Sequence, residues 1–325
     1  MKTKTRKNQI KKHLVIIIVF MIILLLLVIS LFLSIFYQKQ ASLIQLSNES
    51  NSSFTIIVLP DTQYYSELYP KIFINQTKWI VENKQSLNIQ MVIHEGDIVF
   101  NNNNKPEKWD TANQSFSILE QANIPYSLIP GNHDTNTKTN YNNYDLYFPK
   151  TRFENKSWFG GSFGNYRNNY QLLNINNKTY LFISLELCPN KSVINWANQI
   201  LNNYPNFQAI LTTHGYLSAS EPTKRYVYSC GSTEYIWNDL IKLHPNLQLV
   251  LSGHIHSEKR RTDNNQAAKP VYQILADYQD EKLGGSGYLR IMQWDQEKNI
   301  INIQTYSPYL NRYKKGYDSE FSIRL

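Results

Sequence analysis

The chain has 325 residues, 42% of them hydrophobic and 18% charged, which suits one domain with a sizeable core. Its formal net charge is +8, but six of its 33 basic residues precede residue 14, which leaves 27 against 25 acidic residues. The remaining chain is nearly neutral, so it carries no electrostatic signature of nucleic-acid binding, and we expect no nucleic-acid partner.

The N-terminus carries the strongest targeting signal. Residues 14–36 are apolar except for Ser30 and Ser34, and a helix of this length crosses a hydrocarbon core of about 30 Å. The preceding cations favour a cytoplasmic N-terminus. A cleaved signal peptide is the alternative, but its apolar region covers only about 7–15 residues and ends at a small-x-small site, which SIFYQKQASL lacks.

We therefore predict a single-pass membrane protein with four parts. They are a cytoplasmic basic tail (1–13), a transmembrane signal anchor (14–36), a Ser/Asn/Gln-containing stalk or linker (37–53) and an extracellular or lumenal domain (54–325).

Beyond the linker, short apolar runs alternate with amphipathic segments. Strands are predicted at 55–61, 89–97, 125–134, 208–214, 247–256, 271–279, 287–295 and 301–309, with a hairpin across Asn176-Asn177. Helices are predicted at 71–88, 105–123, 193–204 and 233–244. Strands and helices in this alternation indicate a mainly parallel sheet with crossover helices.

Five of these strands end in side chains that bind metals or carry protons. In chain order they are Asp61 and Gln63, Asp97, Asn132 and His133, His214, and His254 and His256. Open sheets bind ligands beyond the carboxyl ends of their strands, so we expect these side chains to lie together. Ordinary polar loops are the alternative for each motif alone. We interpret His94 as a strand residue, with a role in the core as an equal alternative, and His244 as a helix end.

The motifs PDTQ, EGDIVF, PGNHD, TTHGY and SGHIH stand in this order along the chain. Together they resemble the calcineurin-like metallophosphoesterase superfamily, whose pattern is D-x-H, G-D, G-N-H-D/E, a lone His and G-H-x-H. The resemblance spans residues 55–306 and implies a four-layer α/β/β/α sandwich. Gln63 departs from the pattern where the family usually has His. Phe100 stands where the purple acid phosphatase branch has a tyrosine ligand, so a purple ferric site is not expected.

The resemblance also implies two divalent metal ions, bridged by Asp97. Asp61, Gln63 and His256 complete one site, and Asn132, His214 and His254 complete the other. The mixed donors suit Mn, Fe or Zn, and the hard amide oxygen of Gln63 favours Mn. Such a pair clamps a phosphate ester and generates hydroxide near neutral pH.

His133 follows a predicted ligand, so its imidazole is free to stabilise the transition state or to protonate the leaving alkoxide. Asp134 either orients that imidazole or serves the turn.

These observations predict a membrane-anchored phosphoesterase that hydrolyses a phosphate mono- or diester outside the cytoplasm. A catalytically weak or inactive binding ectodomain is an alternative, encouraged by Gln63, and a nuclease is another. Cys188 and Cys230 are predicted either to pair in an oxidising compartment or to remain buried free thiols.

Overall fold

The computed structural model divides the chain into two units, Met1–Asn51 and Ser52–Leu325. In the first unit it describes only Met21, Leu27, residues 29–35 and Tyr37, all helical. The predicted tail (1–13), most of the predicted anchor (14–36) and the linker through residue 51 lie outside the described residues. Among the residues that are described, no helix combines the length and the apolar composition needed to cross a membrane.

The second unit is described at residues 52–100, 105–135, 141–220, 225, 227–228 and 230–325. Its strands are β1 (Ser53–Leu59), β2 (Ile89–His94), β3 (Tyr126–Ser127), β4 (Phe159–Phe163), β5 (Asn168–Ile175), β6 (Lys178–Leu185), β7 (Gln208–Thr213), β8 (Val227–Tyr228), β9 (Gly231–Ser232), β10 (Leu247–Ser252), β11 (Glu258–Asn264), β12 (Pro270–Ala276), β13 (Leu289–Asp295), β14 (Ile300–Ser307), β15 (Arg312–Lys314) and β16 (Glu320–Arg324). Its helices are α1 (Gln63–Glu67), α2 (Pro70–Glu82), α3 (Pro106–Gln121), α4 (Asn142–Tyr147), α5 (Lys191–Asn203), α6 (Glu234–Asp239) and α7 (Lys282–Gly285), with 3-10 turns at Lys150–Arg152 and Ile241–Leu243.

Most of these strands form two mixed sheets. The first has the order β15-β14-β13-β1-β2-β3, with β16 also paired to β14, and the second has the order β11-β12-β10-β7-β6-β5-β4. The parallel strands are β1, β2 and β3 in one sheet and β12, β10, β7 and β6 in the other. The alternation of strands and helices indicated a mainly parallel sheet, whereas both sheets are mixed; their number agrees with the α/β/β/α sandwich that the family resemblance implied. Hairpins such as β5–β6 and β13–β14 add antiparallel strands at the edges, because a short turn cannot connect parallel neighbours.

Alternation along β1 shows how the layers are built. Phe54, Ile56 and Val58 pack into the core between the two sheets, whereas Ile57 and Leu59 pack into the core that contains α2 and α3. The second sheet is covered on its outer face by α5 and α6. Because successive strand residues point to opposite faces, each sheet buries both of its faces. The unit is a mixed α/β sandwich with helices outside two facing sheets.

Several helices and strands differ in length from their predicted ranges. β3 covers only Tyr126–Ser127, so the PGNHD motif lies in a loop. The predicted 233–244 helix is α6 followed by the turn Ile241–Leu243. The strands β4 and β11 were not predicted, because FGGSF and EKRRTDN carry no apolar alternation and lie at sheet edges. The predicted hairpin is confirmed, with Asn176 and Asn177 both at positive φ.

Cys188 and Cys230 form a disulfide, which decides between the two alternatives that the sequence left open. The bond joins the segment after β6 to the segment before β9, across a sequence separation of 42 residues. Restricting an unfolded loop of this length stabilises the folded state by about 4 kcal/mol.

Candidate metal centre

The structure brings most of the predicted ligands together where strands of both sheets end. Asp97 and Asn132 follow β2 and β3 of the first sheet, and His214 follows β7 of the second. His214 Nε2 lies 3.3 Å from Asp97 Oδ2 and 3.1 Å from Asn132 Oδ1. Asp97, His214 and His254 each offer a ligand atom within 4.8 Å of the others. Both sheets contribute side chains to this cluster. It lies beyond the carboxyl ends of the strands, where open α/β sheets bind their ligands.

The hydrogen bonds of His214 show that this cluster suits a cation. Its Nδ1 lies 2.9 Å from the main-chain oxygen of Glu95, and a carbonyl only accepts, so Nδ1 carries the proton. In the neutral imidazole, Nε2 then points its lone pair at oxygens of Asp97 and Asn132, which are acceptors too. Three converging acceptors fit a divalent metal ion, which takes imidazole and carboxylate ligands.

The pKa shifts of the side chains in this cluster also agree with a bound cation. Burial lowers the pKa of His214, but the carboxylate of Asp97 raises it, and the resulting pKa lies above the ordinary value. Burial likewise disfavours the charged form of Asp97, yet His214 holds the pKa of this carboxyl below its ordinary value. Both shifts favour a positive charge between the two side chains, and a bound divalent cation supplies one.

Asp61 lies on the other side of His254. Its two carboxylate oxygens each lie 3.3 Å from the main-chain N–H of His254, which donates to them. Burial, followed by the charges of Asp277 and Asp97, raises the pKa of Asp61 well above its ordinary value. Three buried carboxylates therefore crowd this edge, and a cation would relieve their repulsion.

Gln63 and His256 are linked through a residue that the sequence analysis missed. Gln63 Nε2 donates to Gln279 Oε1, and Gln279 Nε2 hydrogen-bonds to His256 Nε2. His256 Nδ1 also lies 2.8 Å from Asp280 Oδ2. The proposed ligand role of Gln63 and His256 stays a prediction.

Two motif glycines allow the close approach of these ligands. A Cβ on Gly131 would lie 2.1 Å from Asp97 Oδ1 and 2.7 Å from His214 Nε2. A Cβ on Gly253 would lie 2.2 Å from Asp61 Oδ1. The PGN and SGH motifs thus need glycine because main chain packs directly against the ligand atoms.

His94 has a role in the core. The N–H of Gly96 donates to His94 Nδ1 at 3.1 Å, so Nε2 carries the proton and donates to Thr62 Oγ1 at 2.9 Å. The Thr62 hydroxyl in turn donates to the carbonyl of Ile98 at 3.2 Å. Burial lowers the pKa of His94 to about 3. A neutral imidazole therefore joins the DTQ loop to the EGD loop, which favours the core interpretation of His94.

His133 lies beside the cluster, and its role in catalysis stays a prediction. Its main-chain N–H donates to Asp97 Oδ1 at 2.8 Å. Its ring is half-buried and stacks on Phe100, with ring centroids 5.0 Å apart and 20° between the planes. Phe100 also stacks on Tyr64, at 5.1 Å and 27°. The two aromatic residues hold the imidazole in a row of three rings.

Asp134 has a contact pattern that favours its turn role. Its carboxylate accepts hydrogen bonds from the main-chain N–H groups of Ile98 at 3.0 Å, Val99 at 2.9 Å and Gly131 at 2.8 Å. Burial raises the pKa of Asp134 to about 7, although these donors oppose the shift. The carboxylate of Asp134 thus joins the EGDIV and PGNHD loops, which is its turn role, and an orienting effect on His133 stays a prediction.

The row of three rings yields a prediction about Phe100. Phe100→Leu keeps apolar bulk but removes the stacking partner of His133, and an aromatic pair contributes about 0.5–1.5 kcal/mol. We expect turnover to fall by about 2–10-fold with metal content unchanged. Phe100→Trp keeps an aromatic partner without adding a metal-binding phenol, and it should retain most of the parent rate. Kinetics and metal analysis of both variants check this, and a Leu variant with parental turnover would refute the positioning role.

Comparison with known proteins identifies the family. The sequence profile of the calcineurin-like phosphoesterases matches residues 54–258. The chain belongs to this family. The resemblance of its five motifs predicted this family.

A curated relative and three solved structures resemble the chain. The uncharacterized protein YvnB of Bacillus subtilis (strain 168) is 39% identical over 286 residues, which cover 84% of this chain and 22% of that protein. The chain thus spans about a fifth of the length of this relative. A purple acid phosphatase, PPD1 of yellow lupin, matches with a TM-score of 0.54 at 12% identity, over 84% of this chain and 54% of that one.

The other two structures also share the fold. A dimetal phosphatase from Danio rerio matches with a TM-score of 0.52 at 12% identity, over 83% of this chain and 98% of that one. GAP50, the anchor in the inner membrane complex of Plasmodium, matches with a TM-score of 0.52 at 14% identity, over 84% and 90% of the two chains. At these identities the likeness concerns the fold alone.

Proposed function

We propose that this chain hydrolyses a phosphate mono- or diester at a dinuclear metal centre, outside the cytoplasm and held at a membrane by residues 14–36. The observation that carries the catalytic part is the convergence of Asp97, Asn132, His214 and His254, whose ligand-type atoms lie close to one another. Such a donor set stabilises a cation, and a cation attracts an anionic ester.

Individual residues of the chain have separate roles in metal binding and catalysis. Asn132, His214 and His254 would hold one ion, Asp61 with Gln63 and His256 would hold the other, and Asp97 would serve both. Bound divalent ions supply Lewis acidity, which neutralises ester charge and activates water. His133 lies beside this centre, where its ring can donate a hydrogen bond or a proton to the departing oxygen. The Phe100 ring limits the positions that the imidazole can take.

A phosphate-release assay tests the activity. The purified full chain is stripped with a chelator, reloaded with Mn, Zn, Fe or Mg in turn, and given p-nitrophenyl phosphate and bis(p-nitrophenyl) phosphate. We expect metal-dependent release from at least one substrate, with Mn the most effective ion, because hard oxygen ligands favour it. The ratio between the two substrates separates a monoesterase from a diesterase. Metal-loaded chain that releases nothing from either substrate would favour the binding ectodomain.

The location is proposed on two supports. Six basic residues precede the apolar segment 14–36, and cations of this kind stay on the cytoplasmic side. The Cys188–Cys230 disulfide fits an oxidising compartment.

Topology can be measured with terminal tags. We expect a tag fused after Leu325 to be cleaved by protease added to intact cells, and a tag before Met1 to be protected until the membrane is opened. Oppositely oriented sealed vesicles serve as the control. A C-terminal tag that is protected in intact cells would reject the proposed orientation.

A further inference from the structure

A buried carboxylate next to the metal centre has no role in the function proposed above. Asp277 follows β12 and is 3% exposed. Its Oδ1 accepts a hydrogen bond from the main-chain N–H of Gln279 at 2.9 Å, whereas its Oδ2 is buried without a hydrogen-bond partner. An isolated buried charge is costly, so an orphaned carboxylate oxygen calls for a partner.

The surroundings of Asp277 indicate which partner fits. β12 runs parallel to β10, so the end of β12 lies at the same sheet edge as the SGHIH motif. Asp277 Oδ2 lies 3.9 Å from His256 Nε2. Asp277 is also close enough to Asp61 for the two charges to repel strongly. The carboxylate therefore faces the two residues predicted to hold the first metal ion.

Gln63 supplies a second orphaned acceptor at the same place. Its side chain is 1% exposed, and its Oε1 is buried without a hydrogen-bond partner, although its Nε2 donates to Gln279. Gln279 in turn reaches His256. Two buried oxygens with unused lone pairs thus lie among Asp61, Gln279 and His256. A bound cation is a partner that carboxylate and amide oxygens both accept, and it would compensate the burial of these two atoms.

We propose that Asp277 is an additional ligand of the metal position formed by Asp61, Gln63 and His256. A carbonyl at Gln63 binds a transition metal more weakly than an imidazole would, and it is neutral. A second carboxylate adds both a donor atom and a negative charge, which offsets that loss. Two carboxylates, one amide oxygen and one imidazole form a hard ligand set, which suits Mn²⁺ or Mg²⁺ better than Zn²⁺. This inference rests on the proposed dinuclear centre.

Asp277→Asn is the matched variant for the test, because it removes the charge and keeps an oxygen for the Gln279 N–H. Metal-free full chain is titrated with Mn²⁺ in a calorimeter, and bound metal is counted after dialysis. We expect two ions per chain in the parent. In the variant one ion should bind as before, and the Kd of the other should rise by about 10–100-fold.

Asp280→Asn is the control. Asp280 contacts His256 Nδ1 at 2.8 Å, but its side chain is 73% exposed, so it tests whether any nearby charge suffices. Because Asp280 is exposed and only contacts the His256 ring, we expect Asp280→Asn to weaken Mn²⁺ binding clearly less than Asp277→Asn does. Equal weakening in both variants, or a parental titration of Asp277→Asn, would overturn the proposal.

Thermal unfolding separates ligation from a structural role. Without metal, Asp277→Asn should unfold at the parental temperature or above it, because the variant removes a buried charge beside Asp61. Added Mn²⁺ should then raise its unfolding temperature by less than it raises that of the parent. A lower metal-free temperature with unchanged Mn²⁺ binding would make Asp277 structural. A parent that binds two ions yet releases no phosphate would reject the proposed function and leave this ligand assignment standing.

Discussion

Asp97→Asn should remove bound metal and phosphate release together. Asp97 is 1% exposed, and its carboxylate lies between the main-chain N–H of His133 and the imidazole of His214. The variant removes one negative charge from the centre where acceptor atoms converge. Lewis-acid stabilisation is worth several kcal/mol, so we expect turnover to fall by about 1,000-fold or more.

Asparagine is the right replacement on structural grounds. Asp97 has φ of 50°, and asparagine tolerates this left-handed conformation. Its side-chain oxygen can also keep the hydrogen bond from the His133 N–H. The fold should therefore persist while the charge is lost, which metal analysis, circular dichroism and phosphate release together would show.

Asp295→Asn is the matched control for the same chemical change. Asp295 ends β13 and pairs in the sheet with Ser53, the first residue of β1, so it lies at the sheet edge opposite the metal centre. It contacts exposed Lys298 at 2.8 Å. We expect parental metal content and turnover. An Asp97→Asn protein that keeps both ions and full activity would contradict the bridging assignment.

The sequence predicted which side chains gather at the candidate centre better than it predicted how the strands of the two sheets pair. Metal-binding side chains recur directly after apolar runs, and that pattern is local, so Asp97, Asn132, His214 and His254 could be found from the sequence alone. The pairing of strands depends on contacts between distant segments. Two facing sheets and one continuous sheet produce the same alternation of strands and helices along the chain.

Asp277 is a polar side chain at a strand end that the sequence analysis did not recognise. The residues ADYQD follow the apolar run of β12, just as SGHIH follows β10. The prediction extended that strand through Gln279, which hid its polar end. The strand ends at Ala276, and Asp277 and Gln279 lie beside His256. Strand ends are the least certain part of a sequence-based assignment, and here one boundary concealed a candidate ligand.

Other site features could not be found from sequence. Phe100 was interpreted only as the absence of a tyrosine ligand, yet it stacks on His133. Asp134 was expected to serve either the imidazole or the turn, and its three main-chain donors appear only when two loops meet. Both roles depend on geometry between segments about 35 residues apart, which motif spacing does not encode.

His133→Asn should leave metal binding intact and slow hydrolysis. The main-chain N–H of His133 donates to Asp97 Oδ1, and any side chain at this position preserves that contact. Asparagine keeps a polar group but cannot transfer a proton as imidazole does. Removing a group that protonates or stabilises the leaving oxygen costs about 10²–10⁴-fold in rate. Metal content measured beside turnover separates this loss from a loss of ions.

The leaving group distinguishes proton donation from charge stabilisation by His133. A leaving group derived from an alcohol of high pKa needs a proton as the P–O bond breaks. By contrast, p-nitrophenolate leaves readily without one. If His133 is the general acid, His133→Asn should slow an alkyl phosphate far more than p-nitrophenyl phosphate, because proton transfer matters most for the poorer leaving group. If His133 acts only through its charge, both substrates should slow by the same factor. A variant that has lost metal, with unchanged turnover per bound ion, would show instead that His133 supports the centre itself.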